Sequence, residues 1–353
     1  MTFYQELQLN QSGSKSLIKN SSDRRQKLRH TAIYIFKVFL TLAFCMTFVI
    51  AFSALFGQEN SIVGVVFLLF VMVFRFADFG IHTSHSILCL LIIFAVLAFA
   101  PRLTNMAGPF LSLMINFGCI LLMMILGCHN VLMSNHSTIL LGYLLLQGYD
   151  VSGGPYRQRL AALALGALVT CLVFYHTHRK ASYKRGLKDL FLEFHPDSTR
   201  TRWQLVIALG ISTILFIADL IHLPRSMWAG IAAMSVMLPF KDDMKYRVKA
   251  RIPGNIIGSL LFILLYFFLP PQLYAYIGIL GGIGVGFSAA YGWQSVFNTF
   301  GALSIAVGLF GLPGAVILRI INNIFGALYG LIFHKLFHKS AETLLLRNGK
   351  TGT

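Results

Sequence analysis

Apolar stretches long enough, or nearly long enough, to cross a bilayer recur from Tyr34 to Phe337, divided by short polar breaks. A crossing helix needs roughly 20 such residues, fewer when its ends are snorkelled or sheltered inside a bundle. Barrel strands would instead read as alternating segments of about ten residues, and none is visible. Charge is correspondingly sparse. Of 353 residues 12% are charged and 56% hydrophobic, whereas a soluble domain averages about 25% charged. The expected fold class is an all-α polytopic membrane protein.

Twelve spans can be drawn, near 32–56, 60–74, 81–100, 109–128, 132–148, 156–175, 203–222, 226–240, 250–269, 272–290, 292–310 and 313–335. The second and eighth are short for a full crossing, and only Tyr291 and Gly292 mark the division between the tenth and eleventh. Cationic residues test the count. Six of the 29 Lys and Arg lie in 1–30, seven in 179–202, five in 241–251 and four in 335–350. An even number of spans separates each group from the next. The positive-inside rule then makes their shared face, and both termini, cytoplasmic. The net charge of +17 is thus mostly a topology signal that also suits anionic lipid. Basic residues that flank spans, instead of covering one folded face, do not suggest a nucleic-acid partner. The polar N-terminus lacks a cleavable signal pattern, so the first apolar helix is expected to act as an uncleaved anchor.

The chain repeats itself. At an offset of 160, Gly148 pairs with Gly308, Gly154 with Gly314, Arg159 with Arg319, Gly166–Ala167–Leu168 with Gly326–Ala327–Leu328, and His178 with His338. Each half contains six spans, so the halves insert the same way up, as parallel repeats do. The domain reading is a polar cytoplasmic N-terminus (1–30), a six-helix unit (31–175), a basic cytoplasmic linker (176–202), a second six-helix unit (203–337) and a cytoplasmic tail (338–353).

An Arg-x6-Gly pattern starts at Arg159, Arg251 and Arg319. Within it, Gly166, Gly254, Gly258 and Gly326 are small enough to let helices approach closely. An arginine near hydrocarbon costs several kcal/mol unless it is paired or faces water. Arg251, at a cytoplasmic helix end, either snorkels or lines a path. Arg159 and Arg319 fall at the outer ends of spans six and twelve, against the charge trend, and suggest a shared aqueous path with positive lining. Asn322 and Asn323, one turn beyond Arg319, either glue helices or touch a polar solute. Asp219, His82 and Asp78 are candidates for proton coupling, with ion pairing or simple interfacial placement as the alternatives. The five cysteines fall in or beside apolar runs without a CxxC pair, and read as packing residues. No catalytic motif has a supporting context. The expectation is no enzyme activity, no metal and no cofactor.

The stretch Ser226 to Pro270 resembles the fusaric-acid-resistance and aromatic-acid-exporter family. It has an aromatic-led short span with Trp228, a terminating Pro239, a basic loop, and then Arg251, Gly254 and Gly258 as an R-x-x-G-x-x-x-G entrance. The resemblance covers roughly 200–340. It departs at Pro253 and Asn255, and the linker leaves no room for the cytoplasmic domain of larger members. The resemblance implies efflux of small organic anions, typically aromatic carboxylic acids, across a bacterial inner membrane. The leading expectation is therefore a transporter with an arginine-lined path between the two repeats. The alternatives are a passive anion channel, or a non-transporting scaffold or accessory subunit. Membrane lipid and a small organic anion are the expected partners; monomer and homo-oligomer both stay open.

Overall fold

The computed structural model describes residues 1–239 and 241–349. The side chains of 241, 242, 275, 338 and 340–349 lie outside what is described, and so does most of the expected tail 338–353. The described residues form helices and connecting turns, with no strand among them. In chain order the helices are α1 (Phe3–Gln8), α2 (Gln11–Asn20), α3 (Arg24–Phe56), α4 (Ser61–Phe74), α5 (Thr83–Met106), α6 (Pro109–Gly127), α7 (Asn135–Gly148), α8 (Gly153–His178), α9 (Leu187–Leu192), α10 (Thr199–Leu220), α11 (Met227–Val236), α12 (Lys241–Phe268), α13 (Tyr274–Phe287) and α14 (Tyr291–Gly349).

Each expected apolar segment coincides with a helix or with one arm of α14. That helix is kinked at Gly311, which has φ +65° and is followed by Pro313. A left-handed backbone suits glycine because it has no Cβ, and proline's missing N–H cannot restore the helical hydrogen bond. Among the described residues seven helices are long and apolar enough to cross a membrane: α3, α5, α6, α8, α10, α12 from Asp243, and α14. The protein is thus a multi-pass membrane protein. A twelvefold count of crossings depends on the four short helices α4, α7, α11 and α13.

The chain divides into two compact units. One comprises 1–47 with 246–323, and the other 48–245 with 324–353. The larger unit is an up-and-down bundle whose connections sort into two ends. At one end the amide of His82 donates to the Arg185 carbonyl at 2.9 Å, and Thr83 Oγ1 donates to the His178 carbonyl at 3.1 Å. Asn130 Nδ2 there donates to Asp78 Oδ1 at 3.1 Å. At the opposite end Asn60 Nδ2 donates to the Pro155 carbonyl at 3.0 Å, and Arg225 Nη1 to the Gly148 carbonyl at 3.1 Å. The short α4 and α7 therefore do run from end to end. The bundle interior is rich in phenylalanine. Phe70 meets Phe94 edge-on at 5.0 Å between centroids, and Phe79 lies 5.7 Å from Phe174.

The smaller unit relies on close backbone approach. In lipid, helices gain little from burying apolar surface against each other, so van der Waals contact and polar bridges hold them. A Cβ on Gly254 would stand 2.8 Å from the Gly292 carbonyl oxygen, and one on Gly258 would collide with the Val296 carbonyl. From the other side, a Cβ on Gly281 would stand 2.7 Å from the Phe297 carbonyl oxygen. The first arm of α14 is thus gripped between the glycine stripes of α12 and α13. Near the start of the chain, Tyr34 Oη donates to the Gly286 carbonyl at 3.0 Å and ties α3 to α13.

Candidate functional site

The α12–α14 seam explains why an arginine shares a stripe with two glycines. Gly254 and Gly258 bring the helices together, and Arg251, one turn earlier, then reaches across to its neighbours. Its guanidinium is buried. Nε donates to Asn323 Oδ1 at 3.2 Å, and Nη1 to the Tyr291 hydroxyl at 2.9 Å. Asn323 is held in turn by Nδ2 donating to the Arg319 carbonyl at 2.8 Å. Below Arg251 on the same face, Asn255 Nδ2 donates to the Arg251 carbonyl at 3.0 Å and its Oδ1 accepts from Thr299 Oγ1 at 3.0 Å. A short polar ladder therefore runs one helical turn from Arg251 to Asn255 and across to Thr299.

Among the described residues Arg251 has no counter-charge. Among the described residues no carboxylate lies within ion-pair distance of it, and Nη2 has no hydrogen-bond partner. Neutral acceptors satisfy geometry but do not neutralise the charge, and burying an uncompensated charge is costly. Arg319 is also buried, on the second arm of α14. Beside it, Asn322 Nδ2 donates to the Leu318 carbonyl at 2.9 Å.

Arg159, in the larger unit, has a different setting. Nε donates to Asn60 Oδ1 at 3.1 Å, Nη1 to the Leu146 carbonyl at 3.4 Å, and Nη2 to the Tyr149 carbonyl at 2.7 Å and the Glu59 carbonyl at 3.5 Å. It ties together two chain segments, the turn at 59–60 and the end of α7 at 146–149, whose carbonyls would otherwise be unmatched. An anion would have to displace main chain to reach it. Nearby, Arg102 is paired with Asp150.

The other residues singled out from sequence fall at the ends of the larger unit. Asp78 is a hub: Oδ1 accepts from the Gly80 amide at 2.8 Å and from Asn130, while its carbonyl accepts from Asn135 Nδ2 at 3.0 Å. The His82 ring meets His85 edge-on at 5.7 Å, and His85 Nδ1 accepts from the Leu187 amide at 3.2 Å. Asp219, near the end of α10, accepts the His222 amide on its carbonyl at 3.1 Å. Gly166 sits against Phe67 and Phe94, and Gly326 against the Ala229 carbonyl. Both are packing positions.

Sequence reading passed over two features. Arg247 lies one turn before Arg251 on α12, and its guanidinium stands 4.2 Å from the centre of the Tyr291 ring. The i, i+4 arginine spacing was the available signal. The second feature is an ionic knot on the linker end. Glu193 binds Arg185 Nε at 2.6 Å and Arg200 Nη2 at 3.0 Å, and Arg200 also reaches His129 at 3.3 Å. Burial, and then the Arg200 charge, push His129 down to about 4, so it is neutral near pH 7. Burial works against the Glu193 carboxylate, but the bonds from Arg185 and Arg200 hold it below its usual range.

Fold and seam together define a helical, multi-pass membrane protein with a buried cation on a glycine-lined helix contact. Residues 202–333, which carry that contact, match the family model described as fusaric acid resistance protein-like, in agreement with the motif around Arg251. Residues 11–136 match the model described as Accessory gene regulator B. No curated protein and no solved structure matches the chain.

Proposed function

We propose that this protein transports small organic anions across a membrane, with Arg251 as the group that receives the anionic end. One observation carries the reading: a buried guanidinium on a family-matched helix has side-chain hydrogen bonds and no carboxylate partner among the described residues. An incoming carboxylate would supply the missing charge and a bidentate acceptor. Asn323 and Tyr291 hold the guanidinium in place. Aromatic carboxylic acids as the cargo and a bacterial inner membrane as the setting belong to this proposal and follow from the resemblance of the Arg251 motif.

The experiment is export of labelled benzoate from proteoliposomes under an imposed potential. The parent should release it, and Arg251→Gln should lose at least tenfold in rate with the fold intact. Equal rates in both would remove Arg251 from the path. Current across a planar bilayer without proton movement would assign the same site to a passive channel.

A further inference from the structure

We infer that Arg247, Arg251 and Tyr291 form a two-cation clamp that selects doubly charged anions over singly charged ones. The inference rests on the reading of Arg251 as an anion-receiving group. The two arginines lie one turn apart on α12, so their side chains share a face and are separated by about 6 Å of helix rise. Like charges at that spacing repel. Both nevertheless converge on one tyrosine: Arg251 donates to its hydroxyl at 2.9 Å, and Arg247 lies over its ring at 4.2 Å.

The repulsion is only partly relieved among the described residues. Among the described residues neither arginine has an ion-pair partner. Asp243, one turn before Arg247, is exposed and unpaired, and the other charged groups nearby, Lys245 and Lys249, are exposed cations. The ring face offers Arg247 a partial substitute for an anion, and it leaves the N–H edge of that guanidinium free. Arg251 keeps Nη2 open. Two adjacent guanidiniums with free N–H groups match two carboxylates of one small molecule, or the doubly ionised oxygens of one phosphate monoester. Tyr291 is the positioning residue, because it touches both cations and fixes their separation.

The test compares ligands of equal size and different charge on the purified full-length chain, read as the shift in its unfolding temperature. Succinate is set against butyrate in detergent. Nanodiscs containing phosphatidic acid are set against nanodiscs containing phosphatidylglycerol. The parent should respond to succinate about tenfold more tightly than to butyrate. Arg247→Gln should erase that preference by weakening succinate about tenfold and butyrate far less, and Tyr291→Phe should weaken succinate binding with less effect on butyrate. A response confined to phosphatidic acid supports the clamp with a lipid headgroup as the dianion. Equal responses to succinate and butyrate, unaltered by Arg247→Gln but lost in Arg251→Gln, overturn the clamp and leave the transport reading standing. Responses unaltered in Arg251→Gln overturn both.

Discussion

Arg159 and Arg251 begin the same Arg-x6-Gly pattern, and the chain surrounds them in opposite ways. Arg159 donates to three main-chain carbonyls and one amide oxygen, all belonging to turns that must stay closed. Arg251 donates to one amide oxygen and one phenol, and Nη2 stays open. Side-chain acceptors can be exchanged for a ligand by a rotamer change; main-chain acceptors cannot. The same residue at the same spacing is tied to main chain in one unit and to exchangeable side chains in the other.

Stability measurements can break this contrast. The largest effect is expected for Arg159→Met, which strands several buried carbonyls at about 1 kcal/mol or more each, and so about 3–4 kcal/mol in all. Unfolding in a denaturing detergent series measures it, and a loss under about 1 kcal/mol would mean that Arg159 is no staple.

Acid should come next. His129 is lowered to about 4 from an ordinary 6.5, so the unfolded chain binds a proton that the folded chain refuses. Stability is therefore full above about pH 6.5 and falls as the pH drops toward 4, by about 3 kcal/mol at most. Glu193, held below its usual range, acts in the same direction, weakened by solvent. His129→Gln should flatten the slope between pH 6.5 and 4; an unchanged slope would locate the acid sensitivity elsewhere.

Gly258→Ala drives a Cβ into the Val296 carbonyl and should cost about 2 kcal/mol. Gly301→Ala, with open space around the new methyl, is the control and should be neutral or slightly stabilising. If both behave alike, the close seam is not what holds α12 and α14. The smallest stability change is expected for Arg251→Gln, within about 1 kcal/mol of the parent. The lost hydrogen bonds are offset by removal of an uncompensated buried charge. A loss as large as that of Arg159→Met would make Arg251 a staple too.

Much of the helical layout could be read in the sequence, because apolar run length and breaking residues act locally. The break before Pro313 is an example, where Gly311 and Pro313 enforce a bend within three residues. The glycines at 254 and 258 also announced a close contact. The arginine partners could not be read. Arg159 bonds to positions ten to a hundred residues away in sequence, and no local pattern records which turns the bundle brings beside it. Tyr291 appeared only as a boundary mark, since its role depends on two residues on α12.

The Gly258–Val296 contact sets a limit on motion. Where one main chain rests directly on another, no rotamer can swing aside to open a gap. Those two helices must travel as a single rigid piece. Any gate for the Arg251 ladder therefore belongs to side chains at its rim, or to displacement of the whole three-helix block.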